Sequence, residues 1–252
     1  MKSKPEELLK NKLIIKLGGS LISVEDGKID QDYLKEFAGF IRRMSKHVNA
    51  IFIVVGGGKI VRNYQEVARN LGAKVADDID TIGMRLTRVN AELVRTAIGR
   101  ELAGEIIYSG GEFRWFAKVV VGAGWGHAVT SDYNAVLAAD MVGAHELIRL
   151  SNIDHIYDSN PKKNPSAKPQ KQLTWQDLEN INRGDGNDKF KSGMNVPLDP
   201  KAVSLAKKLG LRMAFMHGHK LDEVEKYINS KKFEGTYVIP KVKSQRIGKA
   251  LP

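Results

Sequence analysis

The sequence contains no cysteine, which excludes disulfides and thiolate metal sites and makes an intracellular setting the expectation. It also lacks any apolar run long enough for a bilayer. The longest uncharged one, at residues 50–55, is far short of the roughly 20 residues a spanning helix needs. Behind the basic opening MKSKPEELLKNK there is no apolar core, so no signal peptide is expected and the expected location is the cytoplasm. The six histidines show no metal-ligand spacing; His217 and His219, two apart in MHGH, read as surface residues. No internal repeat or low-complexity tract interrupts the 252 residues.

What the chain has in plenty is positive charge and glycine. Its 40 Lys and Arg against 29 Asp and Glu give a formal net charge of +11 at pH 7, a balance that favours anionic partners such as nucleotides. Part of the excess lies in the C-terminal stretch, where Lys231, Lys232, Lys241, Lys243, Arg246 and Lys249 face only Glu234. That stretch reads as a solvated basic face, and neither nucleic acid nor a membrane is expected as a partner.

Short β-branched runs alternate with amphipathic ones. LIIKL at 13–17, AIFIVV at 50–55 and residues 106–108, 118–121 and 147–150 read as strands, and the unbroken apolar character of AIFIVV implies burial on both faces. Leu34, Phe37, Ala38, Ile41 and Met44 recur at helical spacing, as do Ile60, Tyr64, Val67, Ala68 and Leu71, stopped by Gly72. A longer helix beginning near Asp80 uses Ile82, Leu86, Val89, Leu93 and Ala97, and another covers 133–141. This order predicts an α/β fold, a three-layer αβα sandwich on a mainly parallel sheet with right-handed crossovers. Past residue 158, DSNPKKNPSAKPQKQ and RGDGNDKFKSG read as loop excursions; DPKAVSLAKKLG and residues 221–228 then read as helices, RMAFM and GTYVI as strands. The expected division is a half at residues 1–150 and a half at 151–252, sharing one continuous sheet.

Three glycine-rich turns follow strands directly: KLGGS at 16–20, GGGK at 56–59 and GAGWGHAVTSD at 122–132. In an open parallel sheet, ligands bind at the carboxyl ends of the strands. Glycines there expose backbone N–H groups, and the next helix adds positive potential, so three such turns point to phosphate binding. Neither familiar phosphate motif is present. Lys59 is followed by Ile60 where a P-loop needs Ser or Thr, and a G-x-G-x-x-G pattern fails at Val61 and at His127.

Lys16 interrupts an apolar strand beside two glycines; it either snorkels from the strand end or aims its charge at a transferring phosphoryl group. Arg62, one turn past the triple glycine, either forks onto a second phosphate or is a solvated helix residue. Asp80, Asp132 and Asp199 each stand where a helix N-cap would, Asp199 with Pro200 behind it.

Taken in order, IIKLGGS, VVGGGKIVR, DTIGMRLTRVNAEL, TSDYNAVLAAD, SNIDHIYDSNPKKNPSAK, DPKAVSLAKKLG and EGTYVI resemble the amino-acid kinase superfamily, and within it the UMP kinases, nearest the archaeal type. The likeness runs over residues 12–239, with 80–91 and YDSNPKK its most specific parts. It implies in-line transfer of the ATP γ-phosphoryl group to UMP, an acceptor (UMP)-binding half at 1–150 and an ATP-binding half at 151–252. By that likeness Lys16, Arg62 and Asp199 would be catalytic. Lys16 would steady the phosphoryl group with the backbone of Gly18 and Gly19, Arg62 would neutralise charge between donor and acceptor, and Asp199 would organise Lys16 or the metal-bound phosphates. Gly58 would hold phosphate, and Ser151, Asn152, Tyr157 and Asn160 would line the ATP site. Gly57, Asp80, Gly124, Trp125, Gly126, His127, Thr130 and Ser131 would bind UMP, with Asp80 on the ribose. Mg²⁺ would arrive with ATP, held by phosphate oxygens and water and not by a protein metal site. The chain would form a homo-oligomer, a hexamer.

Several departures stand against the family pattern. Among them, the uridine loop GAGWGHAVTSD has Trp125 and a slightly different length, and YSGGEFRWFAK is short where the family places a fuller helix. His155 in NIDHIY replaces glycine, so a positive φ or a close backbone approach there would be strained. Asn160 replaces an aspartate, removing a charge at the ATP site, and Ser131 replaces threonine. Two other readings stay open. One is a kinase of this fold for a small phosphate such as isopentenyl phosphate, or for a carboxylate or carbamate, to which KSGMNVPLDPKA is faintly similar. The other is a non-catalytic nucleotide-binding or storage protein. Asp80, Arg88 and Asn90 favour a nucleoside monophosphate, and Lys16 favours catalysis.

Overall fold

The structure, a computed structural model, describes residues 12–23, 27–111, 114–161, 164–183 and 197–241. The loop expected from RGDGNDKFKSG lies outside the described residues past Arg183, as do the start of KSGMNVPLDPKA and, in the basic tail, Lys243, Arg246 and Lys249.

In chain order the elements are β1 (Lys12–Leu17), α1 (Gln31–Met44), β2 (Ala50–Val55), α2 (Gly58–Asn70), α3 (Ala76–Ile98), β3 (Ala103–Ile107), β4 (Val119–Gly122), α4 (Ser131–Met141) and β5 (Glu146–Ser151). There follow β6 (Ile156–Tyr157), β7 (Pro169–Gln170), β8 (Gln172–Thr174), α5 (Trp175–Arg183), α6 (Pro200–Leu209), β9 (Arg212–His217), α7 (Leu221–Ile228) and β10 (Thr236–Ile239). Eight strands make one sheet in the order β3-β4-β2-β1-β5-β9-β10-β8. Neighbours run parallel except β9 and β10, which are antiparallel. The lysine-rich excursion after residue 158 is partly the connection within a small antiparallel ribbon of β6 and β7.

The alternation of side chains along a strand sorts the core into two layers. Leu13, Ile15 and Leu17 of β1, with Ile51, Ile53 and Val55 of β2, meet α1, α7 and the last turns of α3. Ile14, Phe52 and Val54 point the other way, onto α4, α5 and α6. Both faces of β1 and β2 are therefore covered, as their apolar runs require, and each fully buried Leu, Ile or Phe contributes roughly 1.5–3 kcal/mol. This is the three-layer sandwich expected from the sequence, with β1 at its centre.

Two helices depart from their expected faces. α3 begins four residues before Asp80, with Asp77 and Asp78 in its first turn, where the helix dipole favours them. Asp80 is thus inside the helix and does not cap it. Its buried side carries Gly83, Thr87, Asn90, Ala91, Val94 and Ile98, while Val89, expected in the core, is exposed. In α2 only Val61 is buried, and the expected core residues Tyr64, Val67 and Leu71 are exposed by 56, 55 and 84%. His155 is free of the expected backbone strain: among the described non-glycine residues only Ala128 and Ser230 have positive φ.

Candidate active site

Register places the central charges. Lys16 of β1 lies beside Val54 of β2 and Arg149 of β5, and Arg149 lies beside Phe215 of β9, so one row of the sheet carries two adjacent cations. All four belong to strand positions that face α4 and α6. Asp132, in the first turn of α4, closes over them. Its Oδ1 is 3.0 Å from Lys16 Nζ and 3.1 Å from Arg149 Nε, and the guanidinium also stacks on Phe215 at 5.5 Å. The side chains are only 8, 13 and 15% exposed for Lys16, Asp132 and Arg149.

Burial favours neutral forms, but the neighbours decide the outcome. Burial would raise the Asp132 pKa, yet the charges of Arg149 and Lys16 outweigh it and hold the carboxyl well below the usual range. Burial lowers the Lys16 pKa, Asp132 offsets part of that, and Arg149 pushes it down further.

The first two glycine turns interlock. A Cβ on Gly19 would stand 2.2 Å from Gly58 N and 2.4 Å from Gly57 C, and Gly58 itself has φ +72°. The doublet and the triplet are therefore required by the contact of two backbones as well as by any ligand. Gly18 hydrogen-bonds through its N–H to Leu150 O at 2.9 Å, tying the first turn to the end of β5. Asn90 of α3 donates to both Gly56 O and Gly57 O at 3.0 Å and fixes the second turn. Arg62, in the second turn of α2, is exposed.

The third turn bridges α3 and α4. Asp80 Oδ2 accepts from the Ala128 N–H at 2.8 Å, Arg88 donates to Gly124 O at 2.8 Å, and His127 Nε2 meets the Thr81 hydroxyl at 3.0 Å. Trp125 is half-buried and donates to Ile107 O. Trp125, Gly126 and His127 line one wall of a cleft of about 620 Å³ whose other walls include Gly110, Asn134 and Asp140. Thr130 is the N-cap of α4, accepting from the Tyr133 N–H, so the capping role expected of Asp132 belongs to Thr130; Ser131 is the first residue of the helix.

Asp199 caps α6 through the Lys201 N–H at 2.8 Å and accepts from the Thr130 hydroxyl at 2.5 Å. The carboxylate bonded to Lys16 is Asp132.

On the far side, Ser151 ends β5 and its carbonyl accepts from Gly218 N–H at 2.8 Å. Asn152 and Asn160 are exposed, and the Tyr157 hydroxyl bonds Asp154 at 3.2 Å. Asp154, His155 and Glu234 bring ligand-type atoms within 4.8 Å of one another. Lys220 lies 2.6 Å from Glu234, however, and an imidazole donor suits other metals than Mg²⁺. Near Lys16, Asp132 is occupied by two cations and Asp199 by Thr130 and a backbone amide. That donor set fits an Mg²⁺ carried in on phosphate oxygens.

Two residues of this centre, Asp132 and Arg149, were absent from the expected site. A signal for Arg149 did exist: it interrupts the apolar strand ELIRLS as Lys16 interrupts LIIKL, and strand parity puts both on one face.

The sequence pattern of the Amino acid kinase family matches residues 11–217. The uridylate kinase of Methanococcus aeolicus is 31% identical over 91% of this chain and all of its own length. That of Archaeoglobus fulgidus is 34% identical over 77% of this chain and 85% of its own. The crystal structure of the Archaeoglobus fulgidus uridylate kinase superposes with a TM-score of 0.74, at 30% identity, covering 91% of this chain and 99% of that one. The Bacillus anthracis UMP kinase, 21% identical with a TM-score of 0.73, shares the fold. The chain belongs to the amino acid kinase family, alongside the archaeal uridylate kinases to which it is similar in sequence and in structure.

Proposed function

We propose that the chain is a uridylate kinase, moving the γ-phosphoryl group of ATP directly to UMP. The observation that carries this reading is a lysine ammonium buried where glycine turns converge at the strand ends, next to a second buried cation. No covalent intermediate is needed. Phosphoryl transfer calls mainly for alignment and for cations placed where charge develops. Lys16 would contact the transferring group, with the Gly18, Gly19, Gly57 and Gly58 backbone beside it, and the exposed Arg62 would swing onto phosphate from the mouth of the site. Asp80 and the 124–131 turn would hold the UMP ribose and base, and Ser151, Asn152, Tyr157 and Asn160 would line the ATP side. Residues 1–150 would thus serve the acceptor and 151–252 the donor. Asp199 would support the site through Thr130. Mg²⁺, bound to the ATP phosphates, would draw charge from them.

The enzyme would act in the cytoplasm, in pyrimidine nucleotide synthesis, as a homo-oligomer of hexameric form. Among the described residues no helix is long and apolar enough to cross a membrane. Tyr64 and Val67 on α2 and Leu71 at its C-cap, spaced three and four apart and left uncovered, offer a self-association face. A coupled ATP assay with UMP, CMP and isopentenyl phosphate side by side tests the assignment. UMP should be turned over fastest, and turnover of isopentenyl phosphate in preference to UMP would overturn it.

A further inference from the structure

Two buried cations share one carboxylate. Lys16 and Arg149 sit abreast on neighbouring strands, each within 3.1 Å of the same Asp132 oxygen and therefore within about 6 Å of each other. Among the described residues no second carboxylate lies within ion-pair distance of either cation. In their row the flanking residues are Val54 and Phe215. From α6, Asp199 is taken by Thr130 and the Lys201 amide, and the Lys201 ammonium donates to Ala128 O. A Lys–Asp pair alone would be neutral and self-satisfied. The added guanidinium leaves the cluster with one surplus positive charge in a low-dielectric site, a costly arrangement without an anion.

We propose that Arg149 is a positioning residue that shares the Asp132 carboxylate with Lys16 and so keeps the Lys16 ammonium available to a phosphate oxygen. Arg149 does not touch substrate in this role; it acts through Asp132. The stack on Phe215 and the fork on Asp132 hold the guanidinium in place, so its charge is fixed before any ligand arrives. The inference rests on the kinase reading for its purpose, but the charge coupling itself is a property of the ligand-free protein.

The test uses Arg149→Gln, which keeps a hydrogen-bond donor and removes the charge, and Arg149→Lys, which keeps the charge. In nucleotide-free protein, the pH dependence of Lys16 acylation by isotope-coded acetic anhydride, read by mass spectrometry, reports the Lys16 titration midpoint. Removing a cation about 6 Å away should raise that midpoint by about one to two pH units in Arg149→Gln. Arg149→Lys should stay near the wild type. The affinity for a non-hydrolysable ATP analogue should fall about tenfold in Arg149→Gln and recover in Arg149→Lys. Equal midpoints in wild type and Arg149→Gln, or the same shift in both variants, would overturn the proposal and leave Arg149 a packing residue. Because the acylation needs no acceptor, a missing UMP activity with the shift intact would count against the kinase reading and not against Arg149.

Discussion

Asp132 is the residue on which the centre's stability turns, because it is the anion between two buried cations. Asp132→Asn leaves both without a counter-charge and should destabilise the fold by about 3–5 kcal/mol, measured by urea unfolding at pH 7. Its pKa in the fold is below that of the unfolded chain. The stability it contributes is therefore fully present above the unfolded value of about 3.9 and is lost as pH falls through the folded one. The Asn variant should accordingly show a flatter loss of stability in acid than the wild type. An equal acid slope would contradict the assignment. Lys16 was legible in the sequence as a charge out of place in an apolar strand. Asp132 was not, because an aspartate two residues before an apolar helix run is what a cap looks like, and only the contact across to β1 and β5 separates the two roles.

At the scale of elements, the interlock of the first two glycine turns predicts a contrast between two glycine-to-alanine changes. Gly19→Ala places a methyl within 2.2 Å of Gly58 N, so the turns must separate. A loss of about 1–3 kcal/mol is expected, together with a fall in phosphoryl transfer. Gly39, within α1, has only Arg43 Nη1 near its added Cβ, at 3.9 Å, so Gly39→Ala should stabilise by about 0.5–1 kcal/mol and leave activity unchanged. Thermal unfolding of the pair reads both. The strand positions and α1 were readable because period and burial agree there. For α2 and α3 the apolar spacing was real, but it does not say whether the stripe meets its own sheet or another surface. The buried side of α3 carries Gly83, Thr87 and Asn90, whose small or polar character serves the glycine turns and hides the inward face from a hydrophobic pattern.

For the whole molecule, the exposed Tyr64, Val67 and Leu71 make self-association the expectation. Sedimentation velocity should show an oligomer for the wild type and smaller species for Val67→Glu combined with Leu71→Glu, and an unchanged oligomer in that variant would place the interface elsewhere. The sheet, its order and its two helical layers bring the ends of β1, β2 and β5 together. The most direct measurement follows γ-labelled phosphate from ATP into UDP, using wild type and Lys16→Met at equal concentrations of folded protein. Labelled UDP should form with the wild type and fall by a factor of about 10²–10³ in the variant. Undiminished transfer by Lys16→Met, or no labelled UDP from the wild type, would contradict the account.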